Sequence, residues 1–358
     1  MMPQTVYIAR DDLTSAALAD TDLGALAPDA VRLKIESFSV TSNNITYAVA
    51  GEQMGYWNFF PVAEGKGVVP MWGHAVVEAS NHGEFTVGER VYGYLPMGTH
   101  LDVLPGKVSA SGFTDMAEHR QPMAVIYNQY TRLAADPEHD SAREAERMIF
   151  GPLFKTGYLI EAMFSNDTWF GAGVMVMTSA SSKTSMALAS VAKDKSPAVK
   201  RVGLTSSGNV AFTEASGLYD QVLTYDQVGE LEQVPTVSVD FAGNASVLRG
   251  IHERLGDDLK YSCLVGVTHI GGREGGAGGM PGPQPILFFA PTFAVAAIKE
   301  LGPKAFGEAI AKSWRILLGE VANTVAIEKR PGIAAARDTY LEMVSGKVDP
   351  AQGIVIEP

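Results

Sequence analysis

Residues 31–40, VRLKIESFSV, alternate apolar and polar side chains, the two-residue period of a strand with one buried face. GHAVVEAS (73–80) and GERVYGYLP (88–96) continue in that style, punctuated by Gly, Asn and Pro. The first 110 or so residues therefore predict an all-β, barrel-like start. Near residue 140 the pattern changes. A charged helical stretch over 140–147 leads into LFKTGYLIEAMF, and short apolar runs then alternate with helical segments. In order these are VMVM (174–177), the helix MALASVAK, VGLT (202–205), an Ala-containing helix, QVLTY, TVSVD ending at Asp240, a helix over 247–255, and YSCLVGV. Strands of four to six residues separated by helices predict a parallel, doubly wound sheet.

The Gly- and Pro-rich stretch 271–285 is too irregular for a strand. It reads as a surface loop, either a lid or a plain flexible insertion. The tail reads as a helix, a Gly-Lys turn and a final strand over 354–357.

The chain has 358 residues, 46% of them hydrophobic, enough for two cored domains. Its formal charge of 28 − 40 = −12, without any basic run, argues against a nucleic-acid partner. No apolar run approaches the roughly 18 residues of a membrane span. Cys263 is the one cysteine, so neither an intramolecular disulfide nor a thiolate zinc cage is available. The start, MMPQTVYIARDD, lacks the regions of a secretory signal, and a cytoplasmic location is the expectation.

The sharpest chemistry lies at 174–193, where a buried strand enters a polar turn over 178–185 and then a helix. A helix N-terminus offers unpaired N–H groups and a positive dipole end to a pyrophosphate. The glycines of the usual dinucleotide fingerprint are absent. Ser179, Ala180, Ser181, Ser182 and Thr184 stand there as small residues, the serines and the threonine adding hydroxyl donors, and Lys183 adds a charge. An ordinary Ser-capped helix reads the same way. The Lys183-Thr184 pair also imitates the end of a nucleotide-hydrolase phosphate loop, but without its glycines. About twenty residues on, the next strand ends in Thr205, Ser206, Ser207, Gly208 and Asn209. No acid is present to bind a ribose 2′-hydroxyl, which favours NADP(H) over NAD(H). A plain Ser/Gly/Asn turn is the alternative.

A β-rich first part, a doubly wound second part and a tail returning through helix, turn and strand together resemble the medium-chain dehydrogenase/reductase superfamily. SASSKTS, GLTSSGN, YNQY (127–130), VGVTH (265–269) and FFAP (288–291) resemble a branch of it catalogued as a domain of unknown function. The resemblance implies an α/β fold with a doubly wound parallel Rossmann sheet plus a GroES-like β-barrel-type domain. It implies domains at 1–150, 151–318 and 319–358, the last returning to the first. Gly73-His74-Ala75 stands where zinc-dependent members have Gly-His-Glu, so no metal is expected and the zinc-free quinone and enoyl reductases are the better match.

That likeness implies hydride transfer from NADPH to an activated double bond or quinone. A non-catalytic NADPH-binding protein and a zinc-free carbonyl or alcohol oxidoreductase are the alternatives. Tyr56 is the expected proton donor, with Tyr47 in reserve and His269 as a further catalytic candidate; aromatic packing is the competing role for Tyr56. Tyr225 and Thr268 join the expected cofactor contacts. Asn44, Trp57, Tyr127, Asn128 and Tyr130 are the expected substrate contacts for a small molecule. His119-Arg120 either receives an anionic group or forms a surface ion pair, and Phe288 and Phe289 read as core-strand residues. By analogy, the edge segment 286–289 is where a homodimer would form.

Overall fold

Val31, Leu33 and Ile35 are buried along the strand Val31–Val40, while the residues between them are partly or fully exposed. A register shift between Ile35 and Ser37 then hands the inward face to Phe38 and Val40. In this computed structural model, which describes residues 2–265, 279–322 and 324–358, that strand organises the first of two compact units. The first unit comprises Met1–Ile149 with Ile327–Pro358, the second Phe150–Ala326.

In the first unit, Val31–Val40 pairs antiparallel with Pro70–Ser80 on one side and with the C-terminal strand Gln352–Glu357 on the other. Pro70–Ser80 pairs in turn with Arg90–Pro96, and the sheet continues through Gln129–Arg132 and Gly112–Asp115. The tail helix Ile333–Val344 adds Ile333, Ala336 and Tyr340 to the same core. The expectation of an all-β start is corrected at one place, the helix Ser42–Val49. Its N-terminus is a capping box in which the Thr41 N–H donates to Asn44 Oδ1 at 2.7 Å, and Ile45 and Ala48 face inward at helical spacing. Eight residues are too few for that period to stand out from the surrounding alternation.

The second unit carries a six-stranded, wholly parallel sheet. Its order in space is Gln221–Thr224, Lys200–Thr205, Val174–Met177, Thr236–Asp240, Leu259–Leu264, Ile286–Leu287. Numbered along the chain this is 3-2-1-4-5-6, the Rossmann arrangement, and the order in which strands are added reverses between Val174–Met177 and Thr236–Asp240. Met175, Val176, Met177, Val237 and Val239 are buried, as a sheet covered on both faces requires. Gly157, on the long helix Glu144–Asn166, lies against the helix Lys183–Lys195. A Cβ there would come 2.6 Å from the Leu188 amide nitrogen, so only glycine permits that approach.

The return to the first unit falls at Ala326–Ile327 rather than 319, because the helix Pro303–Val321 continues with Leu317 and Val321 buried. At 286–289 only Ile286–Leu287 is strand, with both side chains half exposed, whereas Phe288 is buried and Phe289 caps the helix Ala290–Leu301. No helix among the described residues is long and apolar enough to cross a membrane. Thr268, His269 and most of the 271–285 loop lie outside the described residues.

Candidate cofactor and substrate sites

The first parallel strand ends at Met177, and Thr178 opens the turn. Its hydroxyl donates to Asp240 Oδ1 at 2.6 Å and accepts from the amides of Phe241 and Ala242 at 2.9 and 3.2 Å. The Asp240 carboxylate also takes the amides of Ala242 and Gly243. A threonine and an aspartate at the ends of adjacent strands thus lock the two loops that flank the point where the strand order reverses. Nothing local in the sequence joins these two residues, although Asp240 is the polar end of the apolar strand Thr236–Asp240.

Ser179 adopts a left-handed conformation (φ 48°), where a fingerprint glycine would ordinarily be favoured. Its N–H donates to the Tyr225 hydroxyl at 3.2 Å, so Tyr225 does reach the turn. Ala180 is fully buried, and a Cβ on Gly203 of the next strand would come 2.8 Å from its methyl group. The Tyr219 hydroxyl, another group the sequence did not single out, donates to the Ala180 carbonyl at 2.7 Å and lies 2.9 Å from Ser185 Oγ. Ser182 caps the helix Lys183–Lys195 by accepting from the Ser185 amide at 3.3 Å. Ser179, Ser182, Lys183 and Thr184 are half-buried; Ser181 is turned further in, at 9% exposure.

Ser181 joins this turn to the end of the second strand. Asn209 Nδ2 donates to Ser181 Oγ at 3.1 Å, and Thr205 Oγ1 lies 3.5 Å from the same atom. Ser206 and Ser207 are exposed. The sequence-expected cofactor residues from 179 to 209 therefore gather at the C-terminal ends of the first two strands, with Ala180 and Thr205 buried beneath the others.

In the first unit, Tyr56, Tyr47 and Tyr127 gather in an aromatic cluster with Phe59, Trp72 and Tyr94. The Tyr56 and Tyr127 hydroxyls are 3.5 Å apart, and Trp72 Nε1 donates to the Tyr47 hydroxyl at 3.2 Å. Burial raises the pKa of Tyr56, Tyr47 and Tyr127, so all three phenols keep their protons at neutral pH. The cluster is a set of hydrogen-bond donors, not of bases.

Four expected substrate contacts are corrected. Trp57 is buried between Gly51 and Gly67, each so close that a Cβ would overlap the indole ring. Asn44 spends its amide on Thr41 and the Pro70 carbonyl. Asn128 and Tyr130 are committed to Arg120, which is 1% exposed. That guanidinium also pairs with Asp115 at 2.8 Å and bonds the Tyr127 carbonyl, which removes it as a receiver of anionic substrate. His119 instead meets the Phe59 carbonyl at 3.2 Å.

His74 is wholly buried beside Tyr92, and neither ring nitrogen has a hydrogen-bond partner among the described residues. Burial pushes its pKa down to about 3, so the ring is neutral. Among the described residues no three His, Cys, Asp or Glu side chains group as metal ligands.

A family model described as "Protein of unknown function (DUF2855)" matches residues 38–349. No curated protein matches the chain. Solved structures do: CurA from Vibrio vulnificus in complex with NADPH is 14% identical with a TM-score of 0.61, covering 99% of this chain and 98% of that one. The yhdH oxidoreductase from Salmonella enterica in complex with NADP is 13% identical with a TM-score of 0.54, covering 99% of each chain. The CurK enoyl reductase is 13% identical with a TM-score of 0.56, covering 100% of this chain and 99% of that one. The shared fold is a doubly wound parallel Rossmann sheet with a GroES-like, β-rich domain.

Proposed function

We propose that this chain, which belongs to the DUF2855 family, is an NADPH-dependent oxidoreductase that reduces a quinone or an activated carbon–carbon double bond without a metal ion. The carrying observation is the small-residue turn over 178–185, which opens a helix where the strand order of a parallel sheet reverses. A diphosphate suits that place: the helix dipole and first-turn N–H groups favour an anion, and side chains no larger than serine or alanine at 179–182 leave the backbone approachable. Asn209 and the exposed hydroxyls of Ser206 and Ser207 supply neutral donors where an NAD-specific chain would carry an acid. CurA and yhdH, solved with NADPH and NADP, are folded in the same way.

A reduced nicotinamide, when bound, supplies a hydride equivalent. The protein's part of the chemistry falls to the phenols. A carbonyl conjugated to the accepting carbon gains negative charge on oxygen as hydride arrives, and a protonated Tyr56, paired with Tyr127, can donate to that oxygen. A proton then completes the reduction at carbon or oxygen.

NADPH titration followed by fluorescence tests the cofactor, and its oxidation across quinones, enones, enoyl thioesters and ketones tests the reaction. No quench or energy transfer at high micromolar NADPH rejects the reading. Binding with no turnover across the panel leaves a non-catalytic NADPH-binding protein, and turnover of ketones alone leaves a carbonyl reductase.

A further inference from the structure

Tyr56 and Tyr127 meet from two short helical turns, Tyr56–Asn58 and Val125–Asn128, neither itself part of a sheet. The Tyr127 ring packs edge to face with those of Tyr56 and Phe59, contacts that tolerate sliding. Hydrogen bonds to backbone carbonyls are directional, and here they come from a third turn, Glu118–Arg120. His119 Nε2 lies 3.2 Å from the Phe59 carbonyl, which can only accept, so that nitrogen carries the proton. The Phe59 amide in turn bonds back to the Tyr56 carbonyl. Arg120 Nη2 donates to the Tyr127 carbonyl at 2.9 Å, and its guanidinium lies 5.4 Å from the centre of the Phe59 ring. Asn128 closes the grip, accepting from Arg120 Nε and donating to the Arg120 carbonyl. Two adjacent side chains thus hold the turns that carry the two phenols.

We infer that His119 and Arg120 are positioning residues, which together set the separation of the Tyr56 and Tyr127 hydroxyls so that both donate to one substrate oxygen. The inference rests on the reductase reading above and adds the residues that hold its donors in place. At 3.5 Å the two hydroxyls stand outside the usual O–H···O separation of about 2.7–2.8 Å. Neither is therefore spent on the other, and an oxygen that gains charge between them takes two hydrogen bonds with little reorganisation. A closer pair would bond to itself, and a wider pair would leave one donor out of reach.

Burial makes one half of this brace rigid. Arg120 is 1% exposed, with Asp115 Oδ2 at 2.8 Å offsetting its charge and the Tyr130 hydroxyl accepting at 2.9 Å. A guanidinium presents its donors in a fixed plane, so this one cannot swing away without leaving them unpaired. His119 is exposed, and its bond can be removed without opening a cavity.

NMR of the full chain with tyrosine labelled by carbon-13 at Cζ tests this, Tyr56→Phe and Tyr127→Phe assigning the two resonances. His119→Ala should move the Tyr56 resonance and Arg120→Lys that of Tyr127, while Tyr340 of the tail helix, assigned in the same way, stays in place. Gln121→Ala, next along the chain but bonded to the Asp115 and Ala117 carbonyls, should move neither. On the best quinone or enone, His119→Ala should lower kcat about fivefold, with NADPH affinity within about twofold of wild type. His119→Gln, which keeps an N–H donor, should recover most of that loss. Added to Tyr56→Phe, His119→Ala should cost less than about a further twofold, because no hydroxyl is left to place. An unchanged kcat in His119→Ala, an equal loss in both backgrounds, or unmoved Tyr56 and Tyr127 resonances would each overturn the inference. A wild type without turnover defeats the reductase reading, and the resonances then still decide whether 118–120 holds the pair.

Discussion

Ser181 Oγ accepts a hydrogen bond from Asn209 Nδ2 at 3.1 Å, tying the turn after the first parallel strand to the turn after the second. Asn209→Ala removes that tie and, on the proposed cofactor reading, one polar group of the site. A single hydrogen bond is worth about 1 kcal/mol, so NADPH should bind about fivefold more weakly. A fluorescence titration that finds unchanged affinity would separate Asn209 from the cofactor surface.

Tyr56→Phe keeps the ring and its contacts with Tyr47 and Phe59 while deleting the donor. Turnover on the best quinone or enone should fall by about 100-fold with NADPH affinity unchanged. Tyr127→Phe, which removes the hydroxyl 3.5 Å away, should give a smaller loss of the same kind. Full activity in Tyr56→Phe would remove it from the chemistry.

Acid should destabilise the first unit through His74. The free imidazole takes a proton near pH 6.5, whereas burial delays it in the folded chain to about 3, so the unfolded state binds the extra proton throughout that interval and stability falls as pH drops. Glu144 acts in the same direction at lower pH. Burial alone would raise its pKa, but hydrogen bonds from Arg90 and His139 hold it down to about 2. Between pH 7 and 5 the His74 contribution amounts to about 2 kcal/mol. Urea unfolding at the two pH values should show a loss of that order, largely abolished in His74→Leu, since the ring has no hydrogen bond to lose.

Asp115 and Arg120 are each about 1% exposed, and the pair is further bonded to Asn128 and Tyr130. Asp115→Ala would strand a buried guanidinium and should cost about 3–5 kcal/mol in urea unfolding. Asp115→Asn, which still accepts a hydrogen bond, should cost less. A cost below about 1 kcal/mol for the alanine variant would show that the guanidinium finds water or another acceptor.

At Gly67 a Cβ would lie 2.3 Å from the Trp57 ring, in a place with no room to yield. Gly67→Ala should therefore destabilise by about 1–3 kcal/mol, visible as a lower thermal midpoint. The same substitution at Gly65, where φ is +76° but nothing lies within 4 Å, reports backbone strain alone for comparison.

Periodicity made the architecture legible. Val174–Met177, Lys200–Thr205, Thr236–Asp240 and Leu259–Leu264 each announce themselves as short apolar runs, and helices of a different period between them leave little but a parallel sheet. The turn over 178–185 was equally plain, because its chemistry is local: strand, small polar residues and helix follow one another along the chain. Ser42–Val49 escaped because eight residues carry too little period, and the boundary at Ala326 because nothing in the sequence marks where packing changes partner.

What the sequence determined by itself, then, was the set of elements and the polar turn that enters the second helix, since both depend on near neighbours. Tertiary structure alone decided which aromatic and amide side chains are free to meet a ligand. Asn128 and Tyr130 stand beside Tyr127 in the chain, yet they belong to buried Arg120, while Tyr127 reaches a hydroxyl 71 residues distant. Burial and charge pairing select partners by position in space, and a buried guanidinium must collect its acceptors wherever the fold delivers them.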